Sequence, residues 1–375
     1  TLFRSRYKIY YVEVIILNGK KFASILAITA MLAGFGMTGT IKGASRAELA
    51  AIHVDQAGNF QYWNNDSPAK KKLIAYVQKV TNPKNPDFIP VKHRLAVFDM
   101  DGTLLGERTP SYTDGVFYAD RVLHDPNCKV SEEDKKFAQA YWDAISQRKP
   151  VPPEIEKNLY HNLYAGLAGM TPESLDTYAQ GFMKKPVIGL TNLTYGEAFY
   201  LPMVEVISYL EANDFTCYIV SASDRPLVRA LIHDVLPIAP NQIIGSDPQI
   251  VASHQGQTNG GSYQMTQEDT IQYGGLDRVN EKMNKVSSIV REIGIQPVLA
   301  FGNSSGDYSM FRYTLKDNPY QAEVFNVLCD DTQREYGRPE RAERDKKTSA
   351  ENGWNTISMK NDWKTIYGDN VKKTQ

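Results

Sequence analysis

Cysteine is scarce in this 375-residue sequence, and net charge is almost absent. The three cysteines, Cys128, Cys217 and Cys329, are far apart, which excludes a CxxC metal site and a fully paired disulfide framework. Lys and Arg total 42 and Asp and Glu total 43, so no overall basic charge points to nucleic acid. With 42% apolar residues and no internal repeat, the composition is that of a globular protein of about two domains.

The first 45 residues are expected to lie outside the mature fold. Residues 1–17 contain no Met, and Thr1–Ser5 matches the encoded end of a common sequencing adapter, so we interpret this segment as an assembly scar. A basic segment (18–21), an uncharged run (22–41) and small residues (43–45) then follow in the order of a secretory signal peptide. We therefore expect a secreted or periplasmic protein without stable membrane association; an uncleaved N-terminal membrane anchor is the alternative.

Four short apolar runs predict strands that are buried on both faces, as in a parallel sheet covered by helices. They are Leu95–Phe98, Cys217–Val220, Val298–Phe301 and Val324–Leu328. Polar residues follow these runs, namely Asp99, Ser221, Asn303 and Asp330. Because ligands bind at the carboxyl ends of strands in open α/β sheets, these four strand ends mark one candidate site.

Helical signals fill the sequence between the runs. They predict helices from Ser131 to about Ser146, from Pro153 to about Leu167, from Thr171 to about Lys184, and from Gly196 to Ala212. The resulting stretch of about 110 residues between the first two strands is too long for a crossover connection, so it predicts an inserted domain.

The predicted architecture is an α/β protein with a doubly wound parallel-sheet core and a helical insertion. Residues 46–103 would supply an N-terminal segment and the first strand, residues 104–213 the helical domain, and residues 214–375 the remainder of the core. Residues 240–277, rich in Gly, Gln, Ser and Asp, predict an insertion of loops with a hairpin.

Two aspartates directly follow the first predicted strand, in Asp99-Met100-Asp101-Gly102-Thr103. Carboxylates two residues apart at a strand end can point into one space and hold a divalent cation. One carboxylate can then attack while the other transfers protons. A strand-end turn with an acidic capping residue is the structural alternative.

At these residues the chain resembles the haloacid dehalogenase-like superfamily, in particular its phosphatases related to phosphoserine phosphatase. Four motifs occur in the family's order: Asp99–Thr103, Ser221 within Ile219–Ser223, Lys285 within Asn284–Val286, and Gly302–Asp307. The helical insertion is similar to the family's mobile cap. The runs Gly196–Tyr200 and Asp362-Trp363 are similar to those of exported bacterial members.

The resemblance implies a Mg²⁺-dependent phosphomonoester hydrolase that acts on a small phosphorylated metabolite. Asp99 would be the nucleophile and form an aspartyl-phosphate. Asp101 would protonate the leaving alcohol and later deprotonate the attacking water. Lys285 would neutralise charge on the phosphate, with Lys282, three residues earlier, as the alternative lysine.

The resemblance also implies binding residues. Phosphate contacts are assigned to Gly102, Thr103, Ser221 and Ala222. Mg²⁺ ligands are assigned to Asp99, Asp101, Asn303 and Asp307. The family often has Asp where this chain has Asn303, so whether Asn303 or Asp307 binds the ion directly stays open.

Glu107 follows the nucleophile by eight residues, where the inserted domain is expected to begin. We hypothesise that its carboxylate contacts a cationic part of the substrate, such as the amine of a phosphorylated amino acid or amino alcohol. A charged residue in the linker is the structural alternative.

Other functions fit the residues less well. Gly302–Gly306 also matches the GxSxG pattern of serine esterases, but all six histidines precede Ser304, whereas those enzymes need a later histidine. A true dehalogenase is disfavoured because halide displacement needs no acid at Asp101. A phosphotransferase with the same intermediate, and a phosphate-binding protein on a decayed fold of this type, stay open.

Overall fold

The computed structural model describes residues 43–107 and 111–374. The predicted assembly scar, and the basic and apolar parts of the predicted signal peptide, lie outside the described residues. None of the helices in the described ranges is both long and apolar enough to cross a membrane.

The described residues form one seven-stranded sheet in the order β4-β3-β2-β1-β5-β6-β7. Its strands are β1 (Leu95–Phe98), β2 (Thr216–Asp224), β3 (Ile243–Ala252), β4 (Ile271–Arg278), β5 (Leu299–Gly302), β6 (Glu323–Leu328) and β7 (Asn355–Ser358). All neighbouring strands are parallel except β3 and β4. The predicted α/β class and the four predicted strands are therefore confirmed.

Helices connect and flank these strands. They are α1 (Arg46–Ala50), α2 (Pro68–Thr81), α3 (Thr113–His124), α4 (Glu132–Ser146), α5 (Pro153–Leu167), α6 (Pro172–Phe182), α7 (Leu201–Ala212), α8 (Arg225–Ile232), α9 (Met283–Ser288), α10 (Tyr308–Leu315), α11 (Pro339–Asn352) and α12 (Met359–Asp362). The segment predicted to be an inserted domain contains α3 to α7.

Helix starts follow the capping signals in the sequence. The Ser131 side chain accepts a hydrogen bond from the Asp134 amide at 3.1 Å, and the Asp134 carboxylate accepts one from the Ser131 amide at 3.1 Å. This capping box satisfies amides that have no partner within the first turn of α4. The predicted start of α7 at Gly196 is early, because Tyr195–Glu197 form a separate 3₁₀ turn.

The central strands are buried on both faces. Ala96 and Phe98 of β1 belong to one hydrophobic cluster, while Val97 belongs to a second cluster that contains Met310 and Phe311 of α10. Side chains alternate between the faces of a strand, so continuous apolarity means that both faces are covered. This is the arrangement of a doubly wound fold.

Residues 240–277 differ from the predicted insertion. Its hairpin is present as β3 and β4, but Ile243 and Ile244 of β3 pair in parallel with Ile219 and Val220 of β2. The start of this segment therefore extends the main sheet. The apolar signal there is short and is followed at once by polar residues, which is why the sequence indicates loops.

The sheet places β1 between β2 and β5, so the chain leaves β1 toward one side first and returns to its other side later. Phe98 pairs with Ile219 on one side and Phe301 on the other. The rings of Phe98 and Phe301 stack with centroids 4.5 Å apart, which fixes the alignment of the two strands. The carboxyl ends of β1, β2 and β5 consequently meet at a topological switch point.

Candidate active site

The loop after β1 is a tight turn that presents two buried carboxylates. The Asp99 amide donates to the Phe301 carbonyl at 2.9 Å, which extends the pairing with β5. The amides of Leu104 and Leu105 then both donate to the Met100 carbonyl, at 2.8 and 2.9 Å. Asp99 and Asp101 are each 7% exposed, and both line one cavity.

Gly102 enables this turn. Its φ is +81°, and a Cβ there would lie 1.9 Å from Nδ2 of Asn303, so neither the backbone nor the space accepts a side chain. Thr103 is fully buried. Neither Gly102 nor Thr103 is part of the cavity lining, and their predicted phosphate contacts stay a prediction.

Lys285 bridges two carboxylates at the centre of the site. Its Nζ lies 2.6 Å from Asp99 Oδ1 and 2.6 Å from Asp307 Oδ1, and its side chain is only 2% exposed. Burial alone would lower the pKa of Lys285, but the two carboxylates outweigh burial and raise it. Lys282, the alternative lysine, is exposed and pairs with Glu281, so Lys285 is the lysine at this site.

The groups around Asp99 have opposing effects on its ionisation. Burial, and next the Asp307 carboxylate, raise the pKa of Asp99, while Lys285 opposes this shift. A divalent cation beside Asp99 would act in the same direction as Lys285 and favour the ionised, nucleophilic form.

The end of β2 contributes two serines with different roles. Ser221 is 1% exposed and lines the cavity beside Ala222. Ser223 donates its amide to Ser221 Oγ at 3.1 Å and its hydroxyl to Asp101 Oδ2 at 2.6 Å. Ser223 therefore orients the carboxylate expected to transfer protons, a role that the sequence reasoning missed.

A buried asparagine that the sequence reasoning also missed holds the end of β2 in place. Nδ2 of Asn280 donates to the Ser221 carbonyl at 2.9 Å, and Oδ1 accepts from Ser288 of α9 at 2.8 Å. The Asn280 amide donates to Ser246 of β3 at 2.9 Å. This network connects β2, β3 and the helix that carries Lys285.

The loop after β5 brings Asn303 and Asp307 to the site. Asp307 Oδ2 accepts from the amides of Asn303 and Ser304, at 3.0 and 3.1 Å, while its Oδ1 faces Lys285. Both oxygens of Asp307 are thus engaged with protein groups. Asn303 is 3% exposed and lines the cavity.

The structure gives Glu107 a partner other than a substrate cation. Its Oε1 lies 2.6 Å from Nη1 of Arg341 and accepts from the Tyr112 hydroxyl at 3.2 Å. Glu107 is 5% exposed and is not part of the cavity lining. The predicted amine contact is therefore not supported, because an arginine of this chain already neutralises the carboxylate.

The cavity beside these residues has a volume of about 310 Å³. Residues of α3, α5 and the chain before α3 close it opposite the strand ends. Its lining consists of Asp99, Asp101, Tyr112, Asp114, Glu156, Leu159, Tyr160, Ser221, Ala222, Ser223, Glu281, Lys285, Asn303, Ser304, Gly306 and Asp307.

Asp114 is a buried carboxylate on the far side of this cavity. It is 4% exposed, and its Oδ1 accepts from the Gly115 amide at 2.7 Å. Burial, and next the nearby Asp101 carboxylate, raise the pKa of Asp114 to about 7. No lysine, arginine or histidine of the described residues forms an ion pair with it.

The donor set at the strand ends suits a hard cation. The described residues contain no cluster of three or more His, Cys, Asp or Glu side chains that could hold a metal ion. The predicted site instead combines the Asp99 carboxylate, the Asp101 carbonyl and an oxygen from Asn303 or Asp307, all oxygen donors of the kind Mg²⁺ takes together with water. The residues present fit such an ion.

Comparisons with known proteins identify a family and a similar fold. A family model described as haloacid dehalogenase-like hydrolase matches residues 96–312, while no curated protein matches the chain. A functionally unknown protein from Anaerococcus prevotii DSM 20548 is 15% identical with a TM-score of 0.50, the match covering 81% of this chain and 94% of that chain. Cytosolic 5′-nucleotidase IIIB bound to cytidine is 11% identical with a TM-score of 0.43, the match covering 84% of this chain and 92% of that chain. A probable phosphoserine phosphatase from Vibrio cholerae is 11% identical with a TM-score of 0.36, the match covering 78% of this chain and 69% of that chain. At these identities the first structure supports the fold alone.

Proposed function

The chain belongs to the haloacid dehalogenase-like hydrolases, and from this premise we propose that it is a Mg²⁺-dependent phosphomonoesterase that works through an aspartyl-phosphate. One observation carries the proposal. Asp99, Asp101 and Lys285 line one cavity, with the Asp99 carboxylate held 2.6 Å from the Lys285 ammonium.

In the first step an oxygen of the Asp99 carboxylate attacks phosphorus, and the bond from phosphorus to the substrate's ester oxygen breaks. Asp101 gives its proton to that oxygen, which leaves as an alcohol. In the second step water attacks the phosphorus of the aspartyl-phosphate. Asp101 takes the water's proton, and Asp99 leaves as a free carboxylate together with inorganic phosphate.

The remaining residues of the site position the phosphoryl group and neutralise its charge. Ser221 and the Ala222 amide, both at the end of β2, are assigned to the phosphoryl oxygens, and Lys285 to the charge on the phosphoryl group. Mg²⁺ would be held by Asp99, the Asp101 carbonyl and Asn303 or Asp307, and when bound it would neutralise phosphoryl charge. Phosphoryl transfer depends mainly on such positioning and charge stabilisation.

Removal of divalent cations tests the proposal directly. We expect the full chain to hydrolyse p-nitrophenyl phosphate with millimolar Mg²⁺, and to lose that activity in EDTA and regain it when Mg²⁺ is added back. The release of p-nitrophenol measures the rate. Equal rates with Mg²⁺ and with EDTA would contradict the metal dependence, and no hydrolysis by the folded protein in Mg²⁺ would contradict the hydrolase assignment for this substrate.

The charge of the cavity supports a substrate that carries a positive group besides its phosphate. Six carboxylates and one amine line the cavity, and the amine, Lys285, already pairs with Asp99 and Asp307. A dianionic phosphate ester needs compensating positive charge in such surroundings. Asp114 has no cationic partner among the described residues, and the rings of Tyr112 and Tyr160 lie in the same lining. Carboxylates with aromatic faces bind ammonium groups, so we propose a small amine-bearing phosphate as the substrate.

Asp114→Asn separates this substrate class from neutral phosphate esters. We expect kcat/KM for phosphoethanolamine to fall about 10- to 100-fold, because hydrogen bonds to charged groups contribute about 1.5–3 kcal/mol. The value for propyl phosphate, which replaces the ammonium by a methyl group, should change little. Asp120→Asn is the matched control, since Asp120 is a buried carboxylate on the same helix that pairs with Lys185 instead. Equal losses on both substrates would overturn the proposed class.

A further inference from the structure

A hydrogen-bonded cluster next to the active site joins the buried Glu107 and Asn303 to the partly exposed Arg341. Nη1 of Arg341 donates to Glu107 Oε1 at 2.6 Å, and Nη2 donates to the Asn303 carbonyl at 2.8 Å. Nδ2 of Asn303 donates to Glu107 Oε2 at 3.4 Å, a long hydrogen bond. Each residue comes from a different part of the chain: α11, the segment after β1, and the loop after β5.

The charge of Glu107 determines which way the Asn303 amide faces. An ionised carboxylate only accepts hydrogen bonds, and the two ends of an amide differ, one being a donor and the other an acceptor. The NH₂ end of Asn303 must therefore face Glu107, since the opposite orientation would set an oxygen against a carboxylate. Arg341 donates a hydrogen bond to Glu107 at 2.6 Å and holds its carboxylate in place.

This orientation leaves Oδ1 of Asn303 for the cavity. No donor among the residues that the structure describes forms a hydrogen bond with Oδ1, and Asn303 lines the cavity beside Asp99. Gly102 packs closely against Nδ2, so the amide is held on that side as well. An amide oxygen is a suitable ligand for Mg²⁺, whereas an NH₂ group is not.

We propose that Glu107, held by Arg341, is a positioning residue that directs Oδ1 of Asn303 to the divalent cation. The inference rests on the proposed function, which places that cation here. It also accounts for asparagine at position 303. An aspartate would set a second carboxylate against Glu107 in a buried space, and like charges at such a distance are costly.

Glu107→Gln tests the orientation with almost no change in size. Arg341 only donates hydrogen bonds, so Oε1 of the new glutamine should face it and the NH₂ group should face Asn303. The Asn303 amide would then turn over and present its own NH₂ group to the cation. We expect the affinity for Mg²⁺, measured by calorimetric titration without substrate, to fall about 10- to 100-fold, the usual effect of removing an outer partner of a metal ligand.

The double variant Glu107→Gln with Asn303→Asp should restore cation affinity. In it the glutamine NH₂ group donates to one oxygen of the new aspartate, and the other oxygen is available to the cation. Asp345→Asn is the matched control, because Asp345 contacts Arg341 from the other side, at 3.4 Å, without touching Asn303. Thermal unfolding in EDTA checks that each variant is folded.

Each outcome decides the inference. Weaker binding in Glu107→Gln together with recovery in the double variant supports it. Wild-type affinity in Glu107→Gln, no recovery in the double variant, an equal loss in Asp345→Asn, or no cation binding by the wild-type chain would each overturn it. Because binding is measured without substrate, the inference can hold even if the hydrolysis experiment contradicts the proposed function.

Discussion

Asp99→Asn is expected to abolish phosphate ester hydrolysis while leaving the fold intact. The amide cannot form the aspartyl-phosphate, and loss of a nucleophile costs about 10⁴-fold or more in kcat. The fold should tolerate the change, since burial and Asp307 already disfavour the charged form of Asp99. Initial rates with p-nitrophenyl phosphate measure the first effect. Thermal unfolding in EDTA measures the second, with a midpoint at or above that of the wild-type chain.

The matched control for this prediction is Asp331→Asn. Asp331 is also a buried aspartate, 3% exposed, but it pairs with Arg334 away from the cavity. We expect this variant to keep its hydrolysis rate within a few-fold wherever it remains folded. If Asp99→Asn kept more than a tenth of the wild-type rate, the nucleophile would have to be another group.

The central strands could be predicted from the sequence because helices cover both faces of a parallel sheet. Strands buried on both faces contain continuous apolar runs, and β1, β2, β5 and β6 each carry such a run. The outer strands do not. β7 contains Asn355, Thr356 and Ser358 around a single Ile, and half-exposed β4 is interrupted by glycines, so neither has the continuous pattern.

The structure brings most of the predicted site residues together in one cavity, and several of them follow strand ends. Asp99, Asp101, Ser221, Lys285, Asn303 and Asp307 all line the cavity, together with Ala222. What the sequence could not indicate is which residues support them. Ser223 is 122 residues from Asp101, and Asn280 is 59 residues from Ser221, so nothing in local spacing pairs them.

Glu107 also has a partner that the local sequence does not indicate. Its position near the nucleophile favours a substrate contact, and its actual partner, Arg341, is 234 residues further along the chain. A charge without a visible partner in the sequence is therefore weak evidence for a ligand contact, because the fold can supply an opposite charge from a distant helix. Asp114 differs from Glu107 because it lines the cavity itself, although no local sequence motif marks it.

Lys285→Met is expected to lower the free energy of unfolding by roughly 3–5 kcal/mol near pH 8, because removing one member of a buried ionic cluster leaves uncompensated charge. Asp99 and Asp307 would then face each other without the ammonium that lies 2.6 Å from each. Without Lys285 the pKa of Asp99 rises further above its unfolded value. A carboxyl with a raised folded pKa contributes its stability at low pH and loses it as pH rises through that pKa. The loss in free energy of unfolding caused by Lys285→Met should therefore be smaller at pH 5 than at pH 8.

Urea denaturation at pH 5 and pH 8, with EDTA and with millimolar Mg²⁺, measures this dependence. Mg²⁺ should reduce the deficit at pH 8, since a cation that binds only the folded chain compensates the two carboxylates. Lys282→Met is the matched control, because Lys282 is three residues earlier and its side chain is 65% exposed. We expect it to shift stability by no more than about 0.5 kcal/mol at either pH, as exposed substitutions usually do. A Lys285→Met deficit that is independent of pH would mean that lost packing, and not the two carboxylates, accounts for it.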